Sequence, residues 1–134
     1  MARLILDTGV IIAGARRQLD VAALAEDDDV AIPTVAMAEY VAGTLLDTDP
    51  GRAAAQRTFL DEVLAVVPIH DYDRRVAAEH AELLVHVRRS GNPRGTHDLI
   101  IAATARANNR IVLTTDVRAH FGELPGVRER LSNQ

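Results

Sequence analysis

No cysteine occurs among the 134 residues. That excludes a disulfide framework and any zinc site built on thiolates. Lysine is absent too, so all 15 basic side chains are arginine; chemistry that needs a lysine, such as that of receiver-type phosphorylation domains, goes with it. There is no tryptophan, and only two Tyr and two Phe. The core must therefore be assembled from Ala, Val, Leu and Ile, and no aromatic platform for stacking bases can be read. No uncharged stretch approaches the length of a membrane span. The first apolar run is interrupted by Asp7 before it reaches the length of a signal-peptide core. A formal net charge of −4 argues against binding nucleic acid over the whole surface, but less so if several acids gather round a cation. The expectation is one domain over residues 1–134, cytoplasmic and without membrane attachment.

What is present is an alternation of strand-like and helix-like segments. RLIL (3–6) is a short apolar run ending at Asp7, with a helix expected through Val10, Ile11, Ile12 and Ala15 and helical character again over 18–26. VAIP (30–33) is a second strand candidate, stopped by Pro33, and Thr34 is placed to cap a helix through VAMAEYVAGTLL. Asp49-Pro50-Gly51 marks a turn and a helix start, and AVVPI (65–69) reads as a third strand. Tyr72, Val76, His80, Leu83, Leu84 and Val87 share one face of the clearest amphipathic helix. SGNPRG (90–95) is a loop, DLIIAATARANN a buried helix, and RIVLTT (110–115) a strand ending at Asp116. This order predicts an α/β fold, a central parallel sheet of four to five short strands with helices on both faces.

Four acids occupy chemically useful places. Asp7 and Asp116 each follow a predicted strand, at the sheet edge where open parallel sheets bind ligands. Asp98 opens the buried helix, and Glu39 sits inside an otherwise apolar one. Gathered carboxylates raise one another's pKa, so such a cluster calls for a cation, and hard oxygen donors favour Mg²⁺ or Mn²⁺. Taken singly, each acid also suits a cap, a turn or a wet helix edge. Asp7-Thr8-Gly9 behind an apolar run is, besides, the local pattern with which aspartic proteases present their carboxylate, and a chain of this length could be half of a homodimer. That alternative requires a nearly all-β domain.

The ordered set LILDTGVII, AEYVAG, DLIIAATA and VLTTDVRAHF resembles the PIN-domain ribonucleases, and within them the VapC toxins of bacterial type II toxin–antitoxin pairs. Asp7 matches that family's first acid, Glu39 the acid of its second element with Gly43 as the glycine, Asp98 the acid opening the third, and Asp116 the acid after the fourth strand. Thr114 stands at its hydroxyl position and Phe121 at its last aromatic. The resemblance implies a Mg²⁺- or Mn²⁺-dependent endoribonuclease toxin that cuts RNA with a metal-activated water, using one or two ions held by Asp7, Glu39, Asp98 and Asp116, with Thr114 orienting the acids. It also implies a VapB-like antitoxin covering the site, and toxin dimers or a larger toxin–antitoxin assembly.

Two departures stand out. Gly9 lies where many relatives carry Asn or Ser, and His97 where a small or polar residue is usual. Arg88, Arg89 and Arg94, near the loop that leads to Asp98, are candidate RNA contacts together with His97. For Arg88 and Arg89 a solvated helix end is an equal alternative. A non-catalytic PIN-like module that binds RNA or protein is the competing function, and retention of all four acids counts against it.

Overall fold

The computed structural model describes residues 1–132. Its first strand, β1 (Arg3–Leu6), runs into helix α1 (Thr8–Ala15), followed by α2 (Val21–Asp27) and β2 (Asp29–Pro33). Two long helices, α3 (Thr34–Leu46) and α4 (Pro50–Leu64), lead to a two-residue strand β3 (Ile69–His70). Then come α5 (Arg74–Ser90), α6 (Thr96–Ala107), β4 (Ile111–Thr114), two 3-10 turns at Val117–Ala119 and Phe121–Glu123, and β5 (Glu129–Leu131). The strands lie in the order β3-β2-β1-β4-β5, and every pairing is parallel.

Alternation along the central strands feeds two cores. Leu4 and Leu6 of β1, Val30 and Ile32 of β2 and Leu113 of β4 pack on one face with α1 to α4, while Ile5 and Val112 face the other with α5, α6 and the fully buried Phe121. Such burial on both faces explains why these strands read as unbroken apolar runs. It also disposes of the protease alternative, since a parallel sheet sandwiched by helices has no room for a second sheet layer. No helix among the described residues is long and apolar enough to cross a membrane.

Local differences from the sequence reading have physical causes. Thr34 is the first residue of α3 and not its cap; Pro33 takes the cap position without a side-chain bond. The third strand shrinks to Ile69–His70 because Ala65 still closes α4 and the chain turns before Pro68. Strand β5 carries three exposed residues on the sheet edge, so no apolar pattern announced it. Tyr72 precedes α5 and reaches back so that its hydroxyl lies 2.8 Å from His80 Nδ1, and burial pushes the pKa of His80 down.

One close approach fixes how α1 seats on its neighbours. A Cβ at Gly14 would stand 2.7 Å from both Phe59 Cζ and Val21 Cγ2. Gly14→Ala therefore overpacks this junction, at about 1–3 kcal/mol, against a helix-propensity gain of about 1 kcal/mol. A lower urea midpoint with unchanged slope is the expected result.

Candidate functional site

Because β2 and β3 extend the sheet on one side of β1 while β4 and β5 extend it on the other, the chain reverses direction between β1 and β4. In open parallel sheets the ligand crevice lies at such a reversal, beyond the carboxyl ends of the two strands, and Asp7 and Asp116 both stand at that edge. Asp7 follows β1 directly, and its own N–H still donates to Leu113 O of β4 at 3.0 Å. Its side chain caps α1, with Oδ1 accepting from Thr8 N at 2.8 Å. Oδ2 accepts from the hydroxyl of Thr114 at 2.8 Å. That same hydroxyl accepts from Asp116 N at 3.0 Å. Thr114, fully buried, thus fixes the first and last acids relative to each other.

The other two acids arrive on helices. Glu39 projects from α3, and its Oε1 accepts from the Thr8 hydroxyl at 2.9 Å while Oε2 lies 3.0 Å from His97 Nδ1. Asp98 sits in the first turn of α6 and has no hydrogen-bond partner among the described residues. The charges of the other acids act on both Asp7 and Asp98. Burial pushes the pKa of Asp7 up, and Glu39 and Asp116 add to the rise, against the lowering effect of its bonds to Thr114 and Thr8. Asp98 is pushed up to about 6 by burial, then by Asp7, Asp116 and Glu39, with His97 opposing.

The donor set suits a hard divalent cation: carboxylate oxygens, mutual repulsion that such an ion would relieve, and one carboxylate, Asp98, free of competing bonds. Among the described residues no group of three acids or histidines closes round a single point as a ligand cage would. Asp7 and Glu39 are turned onto the donors of their neighbours instead.

Of the candidate RNA contacts, His97 lies at the site. Arg88 and Arg89 are exposed at the end of α5. Arg94 departs from the expectation, because its guanidinium is committed to protein: Nη1 donates to Ala119 O and His120 O at 2.7 and 2.8 Å, and Nη2 pairs with Glu123 at 3.2 Å. It ties the loop before Asp98 to the turns after Asp116, a positioning role that no sequence pattern signals.

The sequence reading passed over Thr8, although it stands beside Asp7 in the same motif. A Cβ at Gly9 would meet only the Thr115 hydroxyl, which a turn of that side chain can move aside, so the backbone here does not require glycine. Beside Glu39 a groove of about 750 Å³ opens between α1, α3 and α4, with Ile12, Arg16, Gly43, Leu46 and Arg52 among its lining.

Comparison with known proteins places this geometry. The family model for the PIN domain matches residues 4–126. A ribonuclease VapC of Rickettsia bellii is 27% identical over 122 residues, covering 91% of this chain and 90% of the relative. The crystal structure of VapBC-5 from Mycobacterium tuberculosis, a member of the VapBC family of toxin–antitoxin systems, contains a chain 32% identical, superposing with a TM-score of 0.76 over 98% of both chains. A chain of VapBC2 from Rickettsia felis, solved bound to a promoter DNA fragment, superposes with a TM-score of 0.85 over 97% of this chain and 98% of that one, at 21% identity.

Proposed function

Because the chain belongs to the PIN-domain family, as a VapC-type ribonuclease toxin of a VapBC toxin–antitoxin system, we propose that Asp7, Glu39, Asp98 and Asp116 are the groups with which it cuts RNA. The observation that carries this reading is their convergence, from β1, α3, α6 and the turn after β4, into one crevice where burial and mutual charge lift Asp98 to about 6. These carboxylates would hold one or two Mg²⁺ or Mn²⁺ ions, which would supply Lewis acidity at the phosphate and lower the pKa of water near the site.

The chain's own residues prepare that chemistry. Thr114 locks Asp7 against Asp116, and Thr8 braces both Asp7, through its N–H, and Glu39, through its hydroxyl. Helix α6 begins at the site without a side-chain cap, and its first-turn N–H groups favour an approaching phosphodiester. Arg16 is exposed on the rim beside Glu39, placed for a bidentate phosphate contact, and Arg88 and Arg89 remain candidates further along the strand of RNA. The groove beside Glu39, with exposed Ile12 and Leu46, is where a segment of a VapB-like antitoxin would lie to block the site. The toxin–antitoxin complexes among similar structures support that partner; a toxin dimer in the assembly is part of the same proposal. On this reading the activity is cytoplasmic, where the RNA of the cell lies.

The experiment is incubation of the purified protein with total RNA and Mn²⁺. Cleavage is expected, and EDTA or Asp7→Asn should abolish it. Cutting that proceeds undiminished in EDTA would falsify the metal-nuclease reading.

A further inference from the structure

Glu39 is the one acid of the four that no strand end or helix start holds in place. It hangs from the middle of α3 on a side chain with three torsions, whose ordering costs entropy. Two neighbours restrain it. The Thr8 hydroxyl bonds one oxygen at 2.9 Å, and His97 Nδ1 approaches the other at 3.0 Å. Thr8 adjoins Asp7, and His97 adjoins Asp98. Glu39 is therefore stretched between the two elements that carry Asp7 and Asp98, and its orientation is set from both sides. A carboxylate oxygen accepts, so the ring presents its N–H at Nδ1 and turns Nε2 outward. The His97 side chain is 56% exposed, which leaves that outward edge in water.

We propose that His97 is a positioning residue for Glu39: through Nδ1 it holds Oε2 so that the carboxylate meets a divalent cation in a fixed orientation. The inference rests on the metal-nuclease reading above. It differs from the contact expected of His97 from sequence, because it acts through Glu39 and not on RNA. Partners that hydrogen-bond a ligating carboxylate from behind are worth about 10–100-fold in metal affinity. A pair of this exposure that served the surface alone would be worth almost nothing.

Three substitutions separate the ring's two edges. The amide of Asn sits one bond from Cγ, as Nδ1 does, so His97→Asn retains a donor for Glu39. His97→Gln places its amide near Nε2 and forfeits that donor, and His97→Ala loses both. Mn²⁺ affinity is read without RNA, from the electron paramagnetic resonance signal of free Mn²⁺, and RNA affinity is read separately in EDTA. Expected are a loss of Mn²⁺ affinity of about 10–100-fold for His97→Ala and His97→Gln, near wild-type affinity for His97→Asn, and RNA binding in EDTA that is the same for all four proteins. Equal Mn²⁺ affinity for wild type and His97→Ala overturns the proposal and leaves the nuclease reading standing. So does a fall in RNA binding shared by Ala and Asn, which would make the outward edge an RNA contact. A wild type that binds no Mn²⁺ at all overturns both.

Discussion

Asp98→Asn should abolish cleavage and at the same time stabilise the fold. Loss of one of the four carboxylates is expected to lower the cleavage rate by about 10³-fold, equivalent to roughly 4 kcal/mol of barrier. The stability change has the opposite sign for a reason visible in the apo site. Asp98 has a pKa of about 6, raised by burial and by three like charges, so at pH 7.5 the native state holds an anion it disfavours. Between the ordinary carboxylate range and that value the native protein binds more protons than the unfolded chain, and stability falls as pH rises through this window. Asn removes the penalty. Allowing for the solvent that reaches Asp98, unfolding at pH 7.5 should cost about 1 kcal/mol more in the variant than in wild type. Urea titration and RNA cleavage on the same samples check both halves. A variant that lost activity and stability together would point to simple misfolding.

Arg110→Ala is expected to have the largest effect on the fold. This arginine is buried to 6% exposure at the start of β4, opposite the crevice. Its Nη1 donates to Leu4 O, Asp29 O and Asp29 Oδ1 at 3.1, 2.9 and 2.9 Å, and its Nε to His70 Nε2 at 2.9 Å. One side chain thereby joins β1, β2, β3 and β4. Removal leaves two carbonyls and one oxygen of Asp29 without this donor, at about 3 kcal/mol, the lower end for breaking a buried pair because Asp29 stays partly wet and keeps Arg3 on its other oxygen. Calorimetry or denaturant unfolding measures it. The same bond sets a pH dependence, because only an unprotonated His70 can accept it. Burial, then Arg110, pushes the pKa of His70 down, and Arg3 and Arg75 add to this while Asp29 opposes. The unfolded chain then binds the proton first, so this contribution is complete above about pH 6.5 and fades as pH falls toward the lowered native value. Its slope opposes that of Asp98, and Asp98→Asn should expose it as a steeper loss of stability on acidification.

Much of this was legible in the sequence because apolar runs ended at residues with chemical meaning. The strands that end at Asp7 and just before Asp116 are central and buried on both faces, so their Val, Leu and Ile spelled them out. The same argument placed Asp98 at the start of a helix whose first half is buried almost all round. What stayed hidden were side chains whose role depends on tertiary approach. Arg110 and Arg94 read as surface charges until the fold brings carbonyls round them. Thr8 and His97 each adjoin an acid in sequence yet act on another, Glu39, that lies far along the chain.

If these four carboxylates form one divalent-cation site, manganese will report it. Anomalous diffraction at the manganese edge, from crystals equilibrated with MnCl₂, tests it most directly. The account predicts a peak in the crevice, within about 2.1 Å of carboxylate oxygens including those of Asp7 and Asp98, and its disappearance from crystals of Asp98→Asn. Manganese bound only elsewhere, or an Asp98→Asn peak of undiminished height, would contradict it.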